Sequence, residues 1–163
     1  MELKRRLNPR VIFVVVYILA FAAYIMIGLR SAEAANHVVS AELNIPEIGL
    51  TSDVAELTRN GDELTTPDQI VGSYSRANNK TLLIGHSTTV FRNLSNVKLG
   101  AEVNYDNTTY KVVAIDMAPK SNVNMNKILA GTDKNTIIIM TCAGQLLGDS
   151  DATHRLMVTA IEQ

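Results

Sequence analysis

Val11 to Leu29 forms a run of 19 residues without a charged side chain, apolar all round rather than along one stripe. A helix of that length spans about 28 Å, close to the hydrocarbon thickness of a bilayer, and an amphipathic helix on a soluble core would show a polar face. Beyond this run the pattern breaks into short pieces. Leu43 to Leu50 alternates apolar and polar residues around Pro46, as a half-buried edge strand does. Lys80 to Gly85 is a compact apolar strand that leads into His86, and Gly100 to Val103 and Thr109 to Met117 flank an Asp106-Asn107 turn. Thr136 to Thr141 is β-branched and almost wholly apolar, the composition of a central strand. Arg155 to Ile161 alternates again, while Asn60-Gly61-Asp62 and Pro67-Asp68 read as turns. Helical character is weak and confined to Val90 to Leu94 and Asn122 to Leu129. Many short strands separated by turn signals predict an all-β domain, a small closed barrel with one or two short helices in its loops. Two long connections, Lys120 to Lys134 and Ala143 to Thr153, are expected to be loops that bind.

Charge orients the chain. Lys4, Arg5, Arg6 and Arg10 precede the apolar run, and only Arg30 closely follows it. Positive charge stays on the cytoplasmic side, which predicts a single-pass protein of the cell membrane with its amino terminus inside. Ala32-Glu33-Ala34 has the form of a signal-peptide cleavage site, but secretory apolar regions are usually shorter than this one. The expected organisation is a basic terminus at 1–10, a membrane anchor at 11–29, a linker at 30–42 and an extracellular folded domain at 43–163. After Arg30, acidic residues outnumber basic ones by 15 to 10, and no basic stripe suited to a phosphate backbone exists, which excludes nucleic acid as the partner.

The chain has a single cysteine, Cys142, in a domain expected outside the cytoplasm, where no internal disulfide can form. It is a reactive thiol, one half of an intermolecular bridge, or a small buried hydrophobe. Its surroundings favour chemistry. Cys142 ends the most apolar strand, His86 ends another, and Arg155 opens the last. A thiol beside a base or a positive charge can attack a carbonyl, an imidazole can supply and return a proton, and a guanidinium can bind a developing oxyanion without losing its charge. Together they form a minimal set for acyl transfer through a thioester, which calls for no cofactor and no metal. If Leu156, Val158 and Ala160 face the interior, Arg155 and Met157 face out, and His154 points away from Arg155.

Ile139-Met140-Thr141-Cys142, with Arg155 on the next strand, resembles the Leu-x-Thr-Cys…Arg signature of sortases. Thr81 to Ser87, then Phe91-Arg92-Asn93-Leu94 and Gly100, is similar to that family's His-bearing segment, and Leu43 to Leu50 to the strand that opens its domain. Ile139 in place of Leu and Ala143-Gly144 after the Cys depart from the pattern, and the second departure leaves the subclass open. The resemblance implies an eight-stranded β-barrel with Cys142 as nucleophile, His86 as proton donor and acceptor, and Arg155 as the clamp on substrate and oxyanion. Thr141 would help position the substrate. It further implies a substrate protein with a carboxyl-terminal Leu-Pro-x-Thr-Gly-like sorting signal, cleaved after Thr. The acyl group would pass to an amine of a peptidoglycan precursor or of a pilin.

Blander readings stand beside these. A lone strand-end His is usually a satisfied structural residue, His37 lies in the linker, and His154 competes with His86 as base. A zinc site of Cys142, His86 and His154 lacks short ligand spacing, and Asp149 and Asp151 more often mark a solvated loop than a calcium site. A hydrolytic cysteine peptidase would carry the same residues. A tethered β-barrel binding module would leave Cys142 inert. An L,D-transpeptidase is disfavoured because its Cys does not follow an Ile-rich strand.

Overall fold

The computed structural model describes residues 39–57, 64–77, 79–148 and 151–163. The basic terminus at 1–10, the apolar run read as an anchor at 11–29 and the linker as far as residue 38 lie outside the described residues. Eight strands are described: β1 (Val39–Ile45), β2 (Leu50–Glu56), β3 (Val71–Ala77), β4 (Lys80–Ile84), β5 (Glu102–Tyr105), β6 (Thr108–Pro119), β7 (Thr136–Leu146) and β8 (Ala152–Glu162). They close into a barrel in the order β1-β2-β3-β4-β7-β8-β6-β5. β2 with β3 and β4 with β7 pair in parallel, and every other neighbouring pair is antiparallel. The expected all-β closed barrel is the fold found.

Alternate residues of each strand fill the barrel. Leu43, Ile45, Val54, Val71, Leu83, Val103, Ile139 and Val158 are fully buried there. The outer face of β4 and β7 is covered as well. Leu57, Leu82, Ile84, Leu129 and Ile138 form a second buried cluster, against which Leu64, Met125, Met140 and Met157 pack. A strand covered on both faces needs apolar residues at consecutive positions, which explains the unbroken Ile137-Ile138-Ile139 run. The lid of this cluster comes from the β6–β7 connection, whose short helix α1 (Met125–Ile128) is capped by Asn124, its Oδ1 accepting from Lys127 N–H at 3.2 Å. Arg76 on β3 donates to Asn126 at 3.1 Å and ties α1 to the barrel.

Three expectations need correction. Leu43 to Leu50 is not one strand. Pro46, which lacks an N–H, ends β1 and starts a one-turn 3-10 helix, and Gly49 donates to Pro46 O at 3.1 Å before β2 begins. β1 also starts at Val39, inside the stretch read as linker. Most consequential, Ala143 to Thr153 is not a free loop. β7 runs on past Cys142, with Ala143 opposite His154 and Leu146 opposite Ala152 around a bulge. Gln145 N–H donates to Thr153 Oγ1 at 3.1 Å, and Leu147 N–H to Asp151 O at 2.9 Å. Pairing with β8 supplies the ladder that the weak strand propensity of Ala143, Gly144 and Gln145 conceals. The expected turn at Asp106-Asn107 is present, both residues having positive φ (48° and 61°), as a two-residue hairpin of the right twist requires.

Ile139 is fully buried at the barrel centre, so Ile139→Ala should lower unfolding free energy by about 2–5 kcal/mol. Val113, at the β6 bulge and 49% exposed, should tolerate Ala within about 0.5 kcal/mol. Denaturant melts of both variants check the pair.

Candidate active site

Register brings the candidate residues together. In the parallel β4–β7 ladder the last pair is Ile84 opposite Met140. His86 and Cys142 each lie two residues further along, so they leave the same end of the sheet on the same face. In the antiparallel β7–β8 ladder Cys142 stands opposite Arg155, and Met140 opposite Met157. Directly opposed residues have Cβ atoms about 4.5–5.5 Å apart. A groove of about 540 Å³ is lined by His86, Cys142 and Arg155, with Leu82, Ile84 and Met140 among its apolar wall. Cys142 is half-buried and also borders a second cavity of about 300 Å³ shared with Phe91, Arg92 and Met117. Cys142 therefore borders two open spaces.

The turn that carries His86 is fixed from below. Its carbonyl accepts from Phe91 N–H at 3.0 Å and from Thr89 N–H at 3.3 Å, and Phe91 is buried in the barrel. Gly85 allows this turn to close, because a Cβ there would come within 2.5 Å of Val90 and 2.8 Å of Phe91. The Thr141 hydroxyl donates to Gly85 O at 2.8 Å, and its side chain is buried on the barrel side of β7. Thr141 thus joins the strand of Cys142 to the turn of His86, and it also borders the groove. Asp68 lies outside every sequence expectation except as a turn signal. Its Oδ1 is 3.5 Å from His86 Nε2, and Thr89 Oγ1 donates to Asp68 O at 2.6 Å. Eighteen positions separate Asp68 from His86, and no spacing rule connects them; only the fold does.

Arg155 is held at its own strand's start. Nη1 donates to Ala152 O and His154 O, both at 2.9 Å, and Nη2 to Asp151 Oδ1 at 2.7 Å. The second oxygen of Asp151 accepts from Lys120 Nζ at 2.5 Å. Hydrogen bonds from Lys120 and then Arg155 hold the Asp151 carboxyl well below the usual carboxylate range. His154 is engaged elsewhere: its Nδ1 meets Thr153 Oγ1 at 2.8 Å, and its ring lies over Gly144, where a Cβ would approach Nδ1 to 2.7 Å. Gly144 has φ +79° and is suited to that place on both counts. Among the described residues no group of three or more His, Cys, Asp and Glu is arranged to hold a metal ion.

A family model described as the sortase domain matches residues 43–163. The chain belongs to the sortase family, whose members are transpeptidases. No curated protein matches the sequence. Among solved structures, the chain is similar to a lid mutant of sortase A from Corynebacterium diphtheriae (TM-score 0.61, 23% identity, 78% of this chain and 71% of that one). It is similar to sortase A of Listeria monocytogenes (0.59, 14%, 77% and 87%) and to a Clostridium perfringens sortase D5 transpeptidase (0.58, 20%, 76% and 78%). At these identities the likeness is one of fold.

Thr141→Val keeps the side-chain shape but leaves Gly85 O without that donor, and should destabilise the domain by about 1–3 kcal/mol in denaturant melts. Asp151 has a lowered folded pKa, so its contribution to stability is present above the ordinary aspartate value and is lost as pH falls below it. The stability gap between the wild type and Asp151→Asn should therefore shrink as pH falls from about 5 to about 2, as followed by melts across that range.

Proposed function

We propose that the protein is a membrane-anchored sortase that cleaves a Leu-Pro-x-Thr-Gly-like sorting signal after Thr and transfers the acyl group to an amine. The observation that carries this is the meeting of Cys142, His86 and Arg155 on one face of one groove, against an apolar wall that suits an extended peptide. The thiolate of Cys142 attacks the Thr carbonyl carbon to form a C–S bond and a tetrahedral oxyanion, which the Arg155 guanidinium stabilises. As the Thr–Gly bond breaks, His86 gives its proton to the leaving amine, and a thioester joins substrate to enzyme. An incoming amine attacks the thioester and loses its proton to His86, and the thiolate of Cys142 departs. The new amide completes a balanced exchange of one amide bond for another, with no cofactor. The amine comes from a peptidoglycan precursor or a pilin subunit, and the substrate is a secreted protein. The anchor at 11–29 places the domain at the outer face of the cell membrane.

Steady-state rates with a small library of signal peptides, and melting curves on each variant, test this. Cys142→Ala should abolish cleavage with the fold retained, and His86→Ala should lose most of it. Arg155→Ala should lose about 10²–10³ in rate. Arg155→Lys keeps the charge without the planar fork, so most of that loss should persist. Turnover by a folded Cys142→Ala would remove the nucleophile. Product that contains only the free acid in the presence of added amine would make the enzyme a hydrolytic peptidase.

A further inference from the structure

The carboxylate of Asp151 makes more contacts than a surface ion pair does. Oδ1 accepts from Arg155 Nη2 at 2.7 Å and from Ala152 N–H at 2.8 Å, and Oδ2 accepts from Lys120 Nζ at 2.5 Å. The backbone contact fixes the carboxylate itself, so it can orient what it holds. Its two cationic partners, Arg155 and Lys120, both line the groove of Cys142 and His86. They come from different walls. Arg155 is on β8, with only 15% of its side chain exposed, whereas Lys120 opens the β6–β7 connection that carries Met125 into the same groove. An exposed ion pair usually contributes little, because two long side chains lose freedom and water screens the charges. Here one partner is largely buried, its Nη1 is also bound to two backbone carbonyls, and one anion serves two cations.

We propose that Asp151 is a positioning residue of this site, setting the angle of the Arg155 guanidinium and, through Lys120, latching the groove wall formed by the β6–β7 connection. The proposal rests on the transpeptidase reading above for its kinetic consequence. Arg155 reaches the groove through several rotatable bonds, and a donor misplaced by about 1 Å can cost on the order of 10²-fold in rate. Lys120 acts on the wall and not on the reacting carbonyl, so its loss belongs in binding. The carboxyl is ionised at every pH at which such an enzyme would work, so the latch is constitutive and not a pH switch.

The test uses the full chain in mild detergent. In ¹⁵N-edited spectra of the arginine side chains, hydrogen bonds that hinder rotation should give resolved Nη resonances for Arg155, assigned by their absence in Arg155→Lys. These should collapse to an average in Asp151→Ala and persist in Asp151→Glu. With the signal peptide, Asp151→Ala should lower kcat/KM by about 10–10²-fold at a temperature where melting curves show it fully folded, with partial recovery in Asp151→Glu. In an Arg155→Lys background the same change should cost less than about threefold, since the group it positions is gone. Lys120→Met should raise KM with kcat kept within about twofold. Averaged Arg155 resonances in the wild type, or near wild-type kcat/KM in a folded Asp151→Ala, overturn the proposal. If Asp151→Ala fails to fold, Asp151→Asn replaces it in both measurements. If the wild type cleaves none of the peptides, the transpeptidase reading falls, and the guanidinium spectra alone decide whether Asp151 positions Arg155.

Discussion

The parallel pairing of β4 with β7, from Lys80 opposite Thr136 to Ile84 opposite Met140, decides which groups can meet. Side chains alternate along a strand, so a slip of one residue would turn Cys142 into the barrel. The apolar pattern prevents that slip. Leu83, Ile137 and Ile139 are matched to the barrel interior, and Leu82, Ile84 and Ile138 to the outer cluster. Each set is buried, so a slipped register would exchange two packed surfaces at once. The β7–β8 ladder then carries the same phase across to Arg155. The candidate site thus inherits its geometry from the burial of isoleucines and leucines on both faces of these strands.

Around this frame polar contacts settle the details that burial leaves loose. Thr141 faces the barrel and ties β7 to the turn of His86 through Gly85 O. Asp68 reaches His86 from the segment before β3, and Asp151 reaches Arg155 from the turn before β8. Each of the three places a polar atom against another residue of the site. A rigid barrel whose strand ends present reactive groups, held by a surrounding set of hydrogen bonds, is what precise acyl transfer demands.

The barrel was legible because its strands are short, β-branched and separated by strong turn residues, and the order Cys142 then Arg155 placed both on the last two strands. The face of Arg155 was legible too: Leu156, Val158 and Ala160 are buried and Arg155, Met157 and Thr159 are not, as the alternation required. What was hidden depended on pairing and contacts that only the fold brings about. Nothing near Ala143 to Leu146 reads as strand, because its ladder is supplied by β8. The break at Pro46 is masked in the sequence because its neighbours keep alternating while the backbone turns. Asp68 and Asp151 read as turn and loop residues, since contacts such as Asp68 with His86 and Asp151 with Lys120, 31 positions apart in the second case, leave no period or spacing behind. Thr141 carried a motif position but not its direction, which follows only from the parity of a strand covered on both faces.

The central claim is that Cys142 forms a thioester which an amine, and not water, resolves. Intact-mass measurement after mixing the protein with a cleavable signal peptide reads this directly. The claim predicts an adduct on Cys142 equal in mass to the acyl fragment ending at Thr. Hydroxylamine should release it, and on addition of a peptide amine it should disappear as the amide product forms. An adduct absent from a folded protein that nonetheless cleaves the peptide, or one that decays to free acid at the same rate with and without amine, would contradict it.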